Sequence, residues 1–146
     1  MTLQFVIDAS VALQWVVPEA TSPVADRLLG HRLLAPDVLM GDLAQVLGAK
    51  VALGDLTAVE AATAAMALQG AEVELMPSRP LLADAVRLAA QLSHPAQDCL
   101  YLALAQGLQL VYVTANPALV RSVRGPLGGR LAGRVVLVHE VERFLR

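Results

Sequence analysis

Short unbroken apolar runs take turns along the chain with longer stretches whose apolar residues recur at a helical period. Leu3–Asp8 (LQFVID) is an apolar run closed by a carboxylate and predicts a central strand. Ser10 then stands at the capping position of a short helix, VALQWVV, stopped by Pro18. Ser22-Pro23 opens a second helix that ends at Gly30, and Leu33–Ala35 reads as a short strand. Pro36-Asp37 starts a helix to about Leu53. Thr57 and Glu60 have capping-box spacing ahead of an alanine-rich helix that closes at Gly70. Ala71–Met76 (AEVELM) alternates as an outer strand does. Pro80 begins a helix reaching Leu92, and Ser93-His94-Pro95 breaks it. Pro95 opens another helix, which runs to Gln106 and is closed by Gly107. Leu110–Ala115 (LVYVTA) and Arg134–Val138 (RVVLV) predict two further strands, followed by a terminal helix over Glu140–Arg146. Arg124–Gly133 (RGPLGGRLAG) reads as a flexible loop.

Strands that alternate with helices throughout predict an α/β fold, with a central, mainly parallel β-sheet flanked by α-helices. In such folds ligands gather at the carboxyl ends of the strands. The 146 residues fit one domain spanning 1–146, large enough to bury a core without disulfides. The hydrophobic content of 56% and mean hydropathy of +0.58 raise the question of a membrane. The longest uncharged stretch, Cys99–Val120, contains Gln106, Gly107, Gln109, Asn116 and Pro117. It reads better as a buried helix, a turn and a buried strand, because parallel strands covered on both faces are continuously apolar. No membrane span is expected. Asp8 interrupts the first apolar run and no basic region precedes it, so no secretory signal is expected either. A single cysteine, Cys99, excludes an internal disulfide and fits a cytoplasmic location.

The net charge of −2 is unevenly spread. Residues 1–106 carry five basic and eleven acidic side chains, a net of −6; residues 107–146 carry six arginines and two acids, a net of +4. An arginine-rich end on an acidic protein offers phosphate contacts, although a solvated surface explains the same charges.

Four polar groups sit beside apolar elements. Asp8 ends the first strand, Asp42 lies in the middle of the Asp37–Leu53 helix, Asp98 is in the first turn of the Pro95 helix, and Asn116 follows LVYVTA. Ordinary structure accounts for some of them singly. A first-turn aspartate suits the helix dipole, and an asparagine before Pro117 suits an N-cap. Asp42 is harder to dismiss, since mid-helix aspartate has poor propensity and apolar neighbours surround it; Gln45 lies one turn later on the same side. Asp8 is the least ordinary, because a buried strand seldom ends in an unpaired carboxylate. Clustered carboxylates repel and are costly to bury unless a cation neutralises them. Hard divalent ions take oxygen ligands, and such an ion promotes phosphodiester hydrolysis by activating water and stabilising phosphoryl charge.

The segment FVIDASVALQWVVPEA resembles the first motif of PIN domains in VapC-type toxins, a strand, an aspartate, a small residue and a hydroxyl. APDVLMGDLAQVLGAK resembles their second motif, and HPAQDCLYLALAQGLQLVYVTANPAL the third and fourth together. The match covers nearly the whole chain in order and with similar spacing. The resemblance implies a PIN-like fold and a metal-dependent endoribonuclease that uses Mg²⁺ or Mn²⁺. It implies that Asp8 and Asp98 are direct metal ligands. Asp42 falls at a position that is usually Glu and Asn116 at one that is usually Asp, so the implied catalytic set is Asp8, Asp42, Asp98 and Asn116. Ser10 and Thr114 fall where family members place hydroxyls near the metal or its waters. The resemblance further implies an RNA substrate, a homodimer and a cognate VapB-like antitoxin laid over the site. Arg121 and Arg124, just after the fourth motif, are candidates for guiding the RNA backbone.

Two departures predict weaker metal binding and reduced turnover. Asp42 is one methylene shorter than Glu, and Asn116 removes a negative charge. Gln97 stands where the family often has an aromatic residue. The alternative is a catalytically inactive PIN-fold module that binds RNA or a partner. Phosphoryl transfer through an aspartyl nucleophile is disfavoured: Ser10 replaces the second aspartate of haloacid-dehalogenase-like phosphatases, and Lys50 is the only lysine available to a receiver-type site. His31, His94 and His139 have no ligand spacing and read as structural, and Trp15 reads as a core or dimer contact.

Overall fold

The structure, a computed structural model, describes residues 2–145. Five short strands, β1 (Gln4–Ile7), β2 (Arg32–Pro36), β3 (Val73–Met76), β4 (Val111–Thr114) and β5 (Val135–Leu137), form one sheet in the order β3-β2-β1-β4-β5. Every pairing is parallel, so the expected mainly parallel sheet is wholly parallel. The chain winds outward from β1 in both directions, first to β2 and β3 and then to β4 and β5. The order therefore reverses between β1 and β4, where a crevice opens beyond the carboxyl ends of the strands. The register sets Val6 beside Tyr112 and Ile7 beside Val113, which brings the residues after Ile7 level with those after Val113.

The helices are α1 (Ala9–Ala12), α2 (Ser22–Leu28), α3 (Leu39–Ala52), α4 (Ala58–Gln69), α5 (Leu82–Leu92), α6 (Ala96–Leu108), α7 (Pro117–Arg124) and α8 (Val138–Val141). The Thr57–Glu60 capping box that opens α4 is formed in both directions. Other boundaries differ from the sequence expectation for local reasons. Asp8 lies outside β1 and is itself the N-cap of α1, so Ser10 is a helical residue and not the cap. Pro36 stays paired with Met76 in the sheet, which delays α3 until Leu39 and places Asp42 in its first turn, not its middle. Gly107 does not end α6; the helix runs on to Leu108, and Gln109 takes the left-handed conformation at φ 57°. The 124–133 stretch is not a loose loop. Leu131 is buried in it, and Gln91 Nε2 donates to the Leu127 carbonyl. Arg146, the last residue of the expected terminal helix, lies outside the described residues; α8 and a 3₁₀ turn over Glu142–Phe144 occupy the rest.

The core explains the hydropathy. Helix α6 buries Cys99 and the unbroken run Tyr101–Ala105 because it packs across β1, β2 and β4. Val6, Ile7, Leu102 and Val113 are fully buried, each contributing about 1.5–3 kcal/mol of apolar burial. The Cys99–Val120 stretch is divided among α6, β4 and α7, and among the described residues no helix is long and apolar enough to cross a membrane. Trp15 packs against the core and donates its indole N–H to the Ala25 carbonyl at 2.9 Å.

Two glycines test this packing in opposite directions. A Cβ on Gly128 would lie 1.7 Å from the Val123 carbonyl oxygen, whereas one on Gly48, exposed within α3, meets nothing within 4 Å. Gly128→Ala is expected to lose about 1–3 kcal/mol or more of stability, and Gly48→Ala to gain up to about 1 kcal/mol. Urea denaturation of the two variants checks both signs.

Candidate active site

The site is built where four helices begin at the crevice between β1 and β4. Asp8 is the N-cap of α1, Asp42 and Asp98 lie in the first turns of α3 and α6, and Asn116 is the N-cap of α7. Helix N-termini favour negative charge and leave backbone N–H groups to be satisfied, which is why acids and amides are stable here. Asp8, Ser10, Asp42, Gln45, Asp98, Tyr101 and Asn116 line one cavity of about 220 Å³. Of the six groups expected at the ion, Asp8, Asp42, Asp98 and Asn116 reach the cavity from segments far apart in sequence, with Ser10 beside Asp8, whereas Thr114 is fully buried and does not line it.

Asp8 is buried, 9% exposed, and its carboxylate receives five hydrogen bonds. Oδ1 accepts from the Ser10 N–H at 3.0 Å, the Ser10 hydroxyl at 2.5 Å and the Val11 N–H at 3.3 Å. Oδ2 accepts from the Tyr112 and Thr114 hydroxyls, each at 2.6 Å. Strand periodicity explains the second pair: Tyr112 and Thr114 are two apart on β4 and share the face toward which Asp8 turns. Burial pushes the Asp8 carboxyl above the usual carboxylate range, and the Ser10, Thr114, Tyr112 and Val11 bonds only partly oppose it. Burial together with the Asp8 charge likewise raises the Tyr112 phenol.

Asp42 accepts from Gln97 Nε2 through Oδ1 and from the Tyr101 hydroxyl through Oδ2, the latter at 2.5 Å. Burial and then the Asp42 hydrogen bond raise the Tyr101 phenol. Asp98 Oδ2 lies 2.7 Å from His94 Nε2 and accepts more weakly from Asn116 Nδ2 at 3.5 Å. Asn116 Oδ1 is occupied in capping the Ala118 N–H at 3.1 Å. Thr114 and Ser10 pin the β4 end, accepting from the Asn116 and Ala115 N–H groups at 3.1 and 2.9 Å. Cys99, beside Asp98, has its thiol pushed up to about 11 by burial and by the Asp98 charge, so it stays protonated and is no nucleophile.

Of the expected arginines, Arg124 is ion-paired on the surface, donating to Glu140 at 2.8 Å, which leaves Arg121 the freer of the two. Arg121 lies exposed on α7. His94 departs from the reading of all three histidines as merely structural. It is 7% exposed in its side chain and directly paired with Asp98. Tyr101 and Tyr112 were also missed, as was the bond from Gln97 to Asp42. The signals available were spacings: His94 to Asp98 at i,i+4, Asp98 to Tyr101 at i,i+3, and Tyr112 to Thr114 at the strand period. A larger hollow of about 470 Å³ around His31, Arg32 and Glu74 opens at the other end of the sheet. It is lined by Glu72 and by an exposed Arg32–Glu74 ion pair, so one of its two carboxylates is already neutralised by an arginine.

The donor set bears on a cation. Among the described residues no three or more His, Cys, Asp or Glu side chains converge into a ready-made metal cage. The chemistry still fits a hard divalent ion, since every polar side chain lining the cavity carries an oxygen and Mg²⁺ is commonly held by one or two carboxylates with retained waters. The Asp98 side chain is 38% exposed, whereas Asp8 is buried.

No family model matches the chain, and no curated protein matches it. In structure it is similar to a protein of Pyrobaculum aerophilum, PAE2754, whose crystal structure aligns with a TM-score of 0.71 at 18% identity, covering 98% of this chain and 89% of that one. The likeness establishes the α/β fold across nearly the whole chain.

The raised Asp8 carboxyl has a stability consequence of definite sign. The folded protein holds this proton more tightly than the unfolded chain, whose carboxyl titrates near 3.8. The stability Asp8 contributes is therefore greatest below that value and falls as pH rises through the raised folded value. In Asp8→Asn the amide oxygen can keep the two backbone bonds, and the loss of the Tyr112 and Thr114 donations is a cost that does not vary with pH over this range. The stability of the variant relative to wild type is expected to increase from pH 4 to pH 7, read from urea midpoints; a constant difference rejects the assignment.

Proposed function

We propose that this chain is a divalent-cation-dependent endoribonuclease of the PIN type, the toxin of a VapBC-like pair. One observation carries the reading: three acids from distant segments, Asp8, Asp42 and Asp98, line a single cavity at the switch point of a parallel sheet. The order of the sequence motifs supports it.

A bound Mg²⁺ or Mn²⁺ would supply Lewis acidity toward the phosphoryl oxygens and lower the pKa of a water. Asp98 and Asp42 are the residues best placed to hold it, with Asp8 behind them. His94 orients Asp98 through Oδ2, and Gln97 and Tyr101 orient Asp42. Ser10 and Thr114 fix the carboxylate of Asp8 and the backbone of the β4 end. A cavity of about 220 Å³ suits a nucleotide splayed out of a loop or single strand, so looped or single-stranded RNA is the substrate class. Arg121 is the freer of the two candidates for backbone contact. Exposed apolar side chains at Leu53, Val59 and Met66 support burial against a second copy of the chain and an antitoxin.

A second reading has its own support. Asn116 offers an amide N–H, not a carboxylate, toward Asp98, and all of the Asp8 lone pairs are taken by internal donors. These features suit an inactive PIN-fold module that binds RNA or a partner without cutting it. Cleavage of total RNA by purified protein with Mn²⁺, set against EDTA, separates the two. The nuclease reading expects cleavage that EDTA abolishes and that Asp98→Asn lowers by about two orders of magnitude. RNA binding without cleavage in any divalent ion would establish the second reading instead.

Asn116→Asp adds the missing acid without losing the cap, since aspartate caps helices as well as asparagine does. It also replaces the donor facing Asp98 with a like charge. Mn²⁺ affinity is expected to rise several-fold, checked by calorimetric titration of both proteins.

A further inference from the structure

The chain has two tyrosines, and both donate to carboxylates of the candidate site. Tyr112 reaches Asp8 from β4 and Tyr101 reaches Asp42 from α6, and their rings stack with centroids 5.8 Å apart and an interplanar angle of 20°. A carboxylate offers about four lone-pair positions. Asp8 already receives five donors, so direct coordination of Asp8 requires a donor to leave.

The donors differ in what leaving costs. The Ser10 and Val11 N–H groups are fixed by the start of α1. The Ser10 and Thr114 hydroxyls lie 3.4 Å apart, so either can turn its proton to the other. The Tyr112 hydroxyl has no such option. Its side chain is 1% exposed, and among the described residues Asp8 is its sole hydrogen-bond partner. Turning it away from Asp8 strands a buried donor.

We propose that the Tyr112 hydroxyl is a built-in competitor for Asp8 and sets the affinity of the site for divalent cations. This rests on the cation-dependent reading above and adds the residue that tunes it. Tyr112 is thus a positioning residue: it acts through Asp8, holding the carboxylate in its cation-free arrangement. Entry of a cation exchanges a phenol hydrogen bond for an ionic contact, with Tyr101 holding Asp42 in the same manner beside it.

Tyr112→Phe removes one oxygen and keeps the ring and its stack. Titration of wild type and variant with Mn²⁺, following free Mn²⁺ by electron paramagnetic resonance, is expected to show binding about tenfold tighter in the variant, the scale of one hydrogen bond to a charged group. Unchanged or weaker affinity, or no uptake by either protein, overturns the proposal. A second readout needs no variant. Saturating the wild-type protein with Mg²⁺ is expected to perturb tyrosine ultraviolet absorption, and a flat difference spectrum overturns the proposal as well. RNA cleavage judges the underlying reading separately. Tighter Mn²⁺ binding by the variant without cleavage by wild type keeps this inference and rejects the nuclease. Metal-dependent cleavage with equal affinities does the reverse.

Discussion

The structure turns on a carboxylate withdrawn from water at the end of its central strand. A buried aspartate without partners is destabilising by several kcal/mol, and the fold answers with donors from two places. The start of α1 supplies two backbone N–H groups and the Ser10 hydroxyl; β4 supplies Tyr112 and Thr114. These bonds fix the angle at which the chain leaves β1 and the height at which β4 stops beside it. Ser10 and Thr114 then hold the Ala115 and Asn116 N–H groups, so the same network sets the start of α7. Removing the acid would alter the meeting point of two strands and two helices, not a single contact.

The parallel topology explains why the other polar groups arrive at the same place. In a sheet whose strands all point one way, the helices that follow them begin near one rim. α1 and α7 begin directly beyond β1 and β4, and α3 begins just beyond β2. α6 runs back under β1, β2 and β4 with its first turn at that rim. Each of these starts carries an acid or an amide. The clustering of acids on a protein of net charge −2 is thus a property of the winding, which gathers positive helix ends and the side chains that suit them.

Much of this was legible in the residues. The strand LQFVID, the capping box at Thr57–Glu60 and the run LVYVTA identified themselves, because central parallel strands and capped helices have strong local signatures. The α/β class followed from alternation, and Asp8, Asp42, Asp98 and Asn116 stand out in the sequence as polar groups beside apolar elements. Boundaries were less legible. Pro36 looks like a helix start, but its pairing with Met76 is a contact between residues forty apart, invisible to a local window. Gly107 looks like a helix stop, yet the left-handed turn fell to Gln109. The partners of the acids were the least legible. Tyr101 and Tyr112 sit inside runs that read as core, and both rings are core; only the last atom of each belongs to the site. His94 lay behind a proline that suggested a break in the chain, although it is one helical turn from Asp98.

The internal donors also bear on how a crowded acidic site stays folded. Three like-charged groups around a cavity of about 220 Å³ would repel, and a protein that needed a cation to hold them would be unfolded without one. Here the chain neutralises each acid by its own means: hydroxyls and backbone for Asp8, a phenol and an amide for Asp42, an imidazole and an amide for Asp98. Asn116 belongs to this pattern, since an acid at that position would face Asp98 with no donor between them. Hydrogen bonds within the chain thereby offset part of the cost of gathering these acids. The same donors must be displaced by whatever enters the cavity, so stability in its absence and affinity in its presence are opposed, and the balance between them is set by a few hydroxyl protons.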